Sequence, residues 1–179
     1  MKSPIIFAFS GASNSGKTTL ICKLCEYLKN IYPAVQIGII KHDPKDKALF
    51  DTPQKDSHKF FALSTAVGVI SPTRTTLQIH QNSKDISDES QAFIMLLERF
   101  KSYDYVFIEG LKTLPYPRIV IARNKIESHY IAYANAFAID NNIENLNVLP
   151  PHIPTLELNN IPQIAHFIDN FKGNNNGHY

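Results

Sequence analysis

The segment GASNSGKTTL, residues 11–20, follows directly on the apolar run PIIFAFS, residues 4–10. Gly11, Ala12, Ser13, Asn14, Ser15, Gly16, Lys17 and Thr18 satisfy the pattern G-x-x-x-x-G-K-[ST] at every fixed position. Gly11 and Gly16 stand where the backbone bends without a Cβ, so that successive N–H groups converge on phosphate oxygens. Lys17 sets an ammonium against the β and γ phosphates of a nucleotide, and Thr18 offers a hydroxyl to Mg²⁺. The helix that follows turns its positive end toward the same anion. Residues from Gly11 to Thr19 are therefore read as the nucleotide-binding stretch.

A metal in such a site needs a carboxylate from another strand end. DYVFIEG, residues 104–110, has one, an apolar run that closes on Glu109 and Gly110. A carboxylate there holds Mg²⁺, directly or through water, or orients an attacking water. The third piece is the loop after the second strand, with Lys41, His42, Asp43, Asp51, Lys55, Asp56 and Ser57. Ligands of open parallel sheets gather at the carboxyl ends of strands. This loop is thus placed to reach the metal and the γ-phosphate as a switch does. Asp56 is its favoured carboxylate, followed by Asp51. The expected catalytic residues are Lys17, Asp56 and Glu109, and the expected metal ligands Thr18, Asp56 and Glu109.

The elements that position these groups can be read from periodicity. Residues 4–10 form a strand buried on both faces. Leu20, Leu24, Leu28 and Ile31 recur at helical spacing, and Pro33 closes that helix. VQIGIIK (35–41) is the next strand, which completes a βαβ unit. Residues 42–54 read as a loop, and 56–66 as a short helix capped by Asp56 or Ser57. VGVIS (67–71) and TTLQIHQ (75–81) are two strands joined by a turn. The helix at 88–101, capped by Ser87, turns Phe93, Leu96, Leu97 and Phe100 to one face. Strands follow at 103–110, 118–123 and 136–140; TLELNN (155–160) is the last strand and a cap, followed by a helix at 162–171. The fold expected is an α/β P-loop NTPase, a mostly parallel sheet with helices on both faces and some antiparallel strands. One domain covers residues 1–172, and GNNNGHY (173–179) is expected to be a disordered tail.

With 179 residues, a hydrophobic fraction of 44% and a net charge of +2, the chain suits one soluble domain. Its Lys and Arg residues are dispersed, which points away from nucleic acid. No apolar run approaches the ~18 residues of a membrane span, and the N-terminus lacks a basic segment with a cleavage site. Localisation by default is cytoplasmic, and Cys22 and Cys25 fit a reducing compartment.

Three segments together resemble the molybdopterin-guanine dinucleotide biosynthesis adapter proteins, the MobB family. They are GASNSGKTTL, GIIKHDPKDKALFDTPQKDSHKFFA (38–62) and DYVFIEGLK (104–112). The family's K-H strand end, its Asp and its P-G-K-D-S segment match Lys41-His42, Asp51 and Pro53-Gln54-Lys55-Asp56-Ser57. Its E-G-F-K appears as Glu109-Gly110-Leu111-Lys112. Gln54 stands in place of the expected glycine, and LSTA (63–66) where A-G-A is usual. The resemblance implies GTP bound with Mg²⁺, slow hydrolysis, assistance to the guanylyltransferase that attaches GMP to molybdopterin, and a homodimer.

The guanine-reading N-K-x-D is absent. Asn124-Lys125-Ile126-Glu127 comes near it, and Asp140 after the strand-like AFAI is the other candidate. Three rival readings remain at this level, one of them a binding module with no catalytic turnover. A small-molecule kinase closes an arginine-bearing lid over the transferred phosphate, whereas this chain has only Arg74, Arg99, Arg118 and Arg123. A nickel-insertion GTPase would use Cys22-Lys23-Leu24-Cys25, but one CxxC is half a metal site. Two cysteines beside the buried stripe of a helix read better as core.

Overall fold

The computed structural model describes residues 3–45, 47–48, 51–80, 86–112 and 114–171, with backbone alone for 86–89. The expected tail lies outside the described residues. The chain divides into two compact units, Met1–His42 with Leu96–Tyr179, and Asp43–Met95.

The first unit holds six strands: β1 (Ile5–Gly11), β2 (Ile37–Lys41), β5 (Tyr105–Glu109), β6 (Arg118–Ala122), β7 (Ala136–Ile139) and β8 (Thr155–Glu157). They lie in the order β2-β5-β1-β6-β7-β8, and every neighbouring pair is parallel. The apolar runs of β1, β5 and β6 follow from this placement, because an interior strand of a parallel sheet is covered on both faces. Side chains alternate between those faces. Phe7, Phe9, Phe107, Ile119 and Ile121 join one core, with Leu20, Leu24 and Leu28 of α1 (Lys17–Ile31) and Ile164 and Ile168 of α4 (Ile161–Asn170). Val120, Ala122 and Phe137 point to the other face and pack with Ile126, Tyr130 and Ile153.

The second unit contains α2 (Asp56–Leu63), the antiparallel pair β3 (Ala66–Ser71) and β4 (Arg74–Ile79), and the start of α3 (Ile86–Arg99). All antiparallel pairing among the described residues is in this hairpin. The six-stranded sheet is wholly parallel.

Four local expectations are corrected. Ile31 ends α1 exposed rather than on the buried stripe. Neither Asp56 nor Ser57 caps α2; Lys55 holds the cap position and no side chain bonds there. Ser57 instead donates its hydroxyl to Asp51. α3 begins at Ile86, so Ser87 lies within it, and Leu96 stays partly exposed while Phe93 and Leu97 are buried.

Candidate functional site

β1 runs directly into the glycine loop. Gly11 has φ 146°, and a Cβ on it would lie 2.5 Å from the Ile121 carbonyl oxygen. Gly16, the N-cap of α1, has φ 97°, and its Cβ would meet the Arg123 guanidinium at 2.9 Å. Asn14 is also left-handed, φ 61°, a conformation its short polar side chain tolerates. α1 starts with no side-chain cap and no acidic residue in its first turn, an arrangement suited to an anion.

Lys17 curls back over this loop, and its Nζ donates to the carbonyls of Gly11 at 3.1 Å and Ala12 at 2.7 Å. Thr18 Oγ1 donates to the two carboxylate oxygens of Glu109 at 3.2 and 3.1 Å. Register explains the meeting: Glu109 ends β5 beside Phe9 of β1 on one side and Lys41 of β2 on the other. Burial pushes the Lys17 ammonium below its ordinary pKa; Glu109 opposes this, while Lys112 and Lys41 add to it. The hydroxyl and carboxylate are hard oxygen donors of the kind Mg²⁺ takes. Lys17, Thr18 and Glu109 are thus brought together at the carboxyl end of the sheet.

Asp51 and Asp56 belong to the second unit. Asp56 is exposed in the first turn of α2 and pairs with Lys59 at 3.3 Å. Asp51 accepts from its neighbour Thr52 N–H at 2.8 Å. The Ser57 hydroxyl and then the Thr52 amide hold the Asp51 carboxyl below the usual carboxylate range.

Arg118 and Arg123 have no assigned role in the sequence pattern, yet the structure uses both. Arg123 Nε donates to the Ser15 carbonyl at 3.0 Å, and its NH1 reaches the Asp140 carboxylate at 3.3 Å. It ties the phosphate loop to the end of β7. Arg118 is buried and holds Ser10 Oγ at 2.6 Å. The signal that could have found them is position, since they bracket the apolar strand IVIA. A charge beside a buried strand needs partners.

Of the two base-reading candidates, Asn124, Lys125 and Glu127 line a cavity of about 380 Å³ together with Ala12 to Ser15. Ile126 is buried in the core, and Glu127 lies 3.6 Å from His129. Asp140 is held by Arg123 instead. Cys25 packs against the core, where burial, then Cys22, pushes its thiol pKa up. That makes it a poorer metal ligand. Cys22 is exposed, so the core reading of the pair holds for Cys25 alone. Among the described residues no helix is long and apolar enough to cross a membrane.

A parallel sheet whose central strand feeds a glycine loop and helix, with lysine and threonine at the helix start and a carboxylate from the next strand, defines a P-loop nucleotide-binding fold. The family model for "Molybdopterin guanine dinucleotide synthesis protein B" matches residues 6–140. The chain belongs to this family, MobB. It is 28% identical over 175 residues to the molybdopterin-guanine dinucleotide biosynthesis adapter protein of Haemophilus influenzae, covering 93% of this chain and 88% of that one. The probable adapter protein of Bacillus subtilis is 28% identical over 134 residues, 72% of this chain and 71% of its own. Two solved structures share the fold. A molybdopterin-guanine biosynthesis protein B has a TM-score of 0.64 at 24% identity, covering 91% of this chain and 95% of its own. A MobB homologue from Bacillus stearothermophilus has a TM-score of 0.59 at 18% identity, covering 92% and 98%.

Proposed function

We propose that this protein binds GTP with Mg²⁺ in the loop Gly11–Thr19 and acts as an adapter in molybdopterin guanine dinucleotide synthesis. The observation that carries the reading is the Thr18–Glu109 contact beside Lys17. These groups supply metal ligands and a phosphate counter-charge in one place. Asp56, on the loop expected to act as a switch, is the carboxylate that would complete the metal's surroundings. Hydrolysis is slow and incidental to binding, and the protein works as a homodimer in the cytoplasm beside a guanylyltransferase. The two relatives' names support the adapter role.

The base is read on the side of β1 away from the metal. Glu109 ends β5 on one side of β1, while β6 and β7 lie on the other. Asp140 follows β7 and is tied to the loop through Arg123. Its carboxylate can accept two N–H bonds from guanine, and adenine has no matching pair of donors.

Titration with GTP and ATP, with and without Mg²⁺, tests the whole reading. Wild-type protein should prefer Mg²⁺–GTP. Lys17→Ala removes a charge-assisted contact of about 1.5–3 kcal/mol, so affinity should fall about 10- to 100-fold. Asp140→Asn should narrow the preference for GTP. Equal affinity of wild type and Lys17→Ala would sink the phosphate assignment, and an unchanged GTP preference in Asp140→Asn would sink the base assignment.

A further inference from the structure

β5 and β6 are both parallel neighbours of β1, so the chain between them must cross β1, from Glu109 level with Phe9 to Arg118 level with Ala8. Such crossovers ordinarily take a dozen or more residues and a helix. Here residues 110–117 make the connection, and the described ones include no helix. The crossover leaves β5 at Glu109 through two left-handed residues, Gly110 at φ 97° and Leu111 at φ 46°. Two backbone bonds hold that turn, Gly110 N–H to the Phe9 carbonyl and Leu114 N–H to the Leu111 carbonyl, each at 3.2 Å.

Arg118 does so from below. It shares a sheet face with Val120 and Ala122, and its guanidinium runs back under the crossover. NH1 donates to Ser10 Oγ at 2.6 Å and to the Gly110 carbonyl at 3.1 Å. NH2 donates to the carbonyls of Leu111 at 2.9 Å and Leu114 at 3.3 Å. The backbone of Arg118 is itself clamped by Asn135: its N–H donates to Asn135 Oδ1 at 2.8 Å, and its carbonyl accepts from Asn135 N–H at 2.9 Å. The side chain is 1% exposed, and no carboxylate is among these partners. An unpaired buried guanidinium is costly, so the site is organised to solvate it with four oxygen dipoles. Those dipoles come from β1 and from the turn that follows Glu109, the two elements that must be aligned for Thr18 and Glu109 to share a cation.

We propose that Arg118 is a positioning residue for the metal half of the nucleotide site: by tying the carbonyls of Gly110, Leu111 and Leu114 to Ser10 of β1, it holds the Glu109 carboxylate at Thr18. It touches neither metal nor phosphate and acts through Glu109. The inference rests on the Mg²⁺–nucleotide reading of the same site. Lysine cannot replace it, because a single ammonium lacks the planar fork that spans both the serine and the turn.

The test is GTP affinity measured in Mg²⁺ and in excess EDTA for wild type, Arg118→Lys and Ser10→Ala, with circular dichroism and a thermal melt to verify folding. Arg118→Lys should lose about 10- to 100-fold of the Mg²⁺-dependent affinity, as substitutions behind a metal ligand do. Its affinity in EDTA should match wild type, which a general loss of structure would not allow. Ser10→Ala removes one of the four bonds and should move the same ratio in the same direction by less. It decides the matter if Arg118→Lys does not fold. A folded variant whose Mg²⁺/EDTA ratio equals that of wild type overturns the role of Arg118 alone. Wild-type protein that binds no GTP under either condition overturns the nucleotide reading itself, before any variant is compared.

Discussion

The two units spend their apolar residues differently. In the first, the side chains of β1, β5 and β6 are buried almost without interruption, and Phe7, Phe9 and Phe107 meet edge to face with neighbouring rings. In the second, no side chain of α2, β3 or β4 is buried. Leu63 is 89% exposed and Ile70 85%. Order there comes from local polar and ring contacts. Phe61 stacks on His80 at 3.8 Å, and His80 Nε2–H donates to the Phe61 carbonyl at 2.9 Å. Strand-like composition therefore predicts extended backbone in both units but burial in only one.

The sharpest way to break this contrast is a pair of truncations. Phe107→Ala empties a fully buried site in the sheet core and should cost about 3–5 kcal/mol of unfolding free energy. Ile70→Ala removes a side chain of similar apolar character from the exposed hairpin and should stay within about 0.5 kcal/mol of wild type. Denaturant unfolding reads both. Similar losses at the two positions would mean that the hairpin is supported in solution by burial equal to that of the sheet.

Helix starts offer a smaller contrast. Asn160 caps α4, and its side-chain oxygen accepts from Gln163 N–H at 3.1 Å. Asn160→Ala should cost about 1 kcal/mol. Lys55 occupies the cap of α2 without any side-chain bond, so Lys55→Ala should change stability by no more than about 0.5 kcal/mol. An Asn160→Ala protein that melts with wild type would remove the capping bond from the account of α4.

What could be read from the sequence follows the same division. β1, the glycine loop, α1 and Glu109 were legible because burial on both faces and a fixed phosphate pattern each leave a periodic trace. The cap of α4 was legible in the residues Asn159-Asn160 before an apolar helix. The cap of α2 was not, because a Ser57 hydroxyl can either accept from a backbone N–H as a cap or donate to a carboxylate, and here it donates to Asp51. Arg118 and Arg123 were missed for a different reason. Most of their partners are backbone carbonyls, at Ser15, Gly110, Leu111 and Leu114, which every residue type presents, and their side-chain partners, Ser10 and Asp140, lie 108 and 17 residues away in sequence. Asp140 could be suspected from its place after a strand, but its tether to the phosphate loop depends on the sheet order that sets β6 between β1 and β7.

The smallest expected effect separates the polar order of the second unit from the buried order of the first. Asp51 is held below the usual carboxylate range by the Ser57 hydroxyl foremost and then by the Thr52 amide. A carboxyl depressed on folding stabilises the folded form above its unfolded value, about pH 3.9. That contribution is lost as pH falls through the lower, folded value. The loss should therefore begin below about pH 4 and be confined to the loop and the start of α2, while the sheet core is untouched. Carbon-detected NMR titration of the Asp51 carboxyl should place its midpoint below the ordinary value in wild type, and Ser57→Ala should move it upward. A midpoint indifferent to Ser57→Ala would show that the serine does not hold this loop.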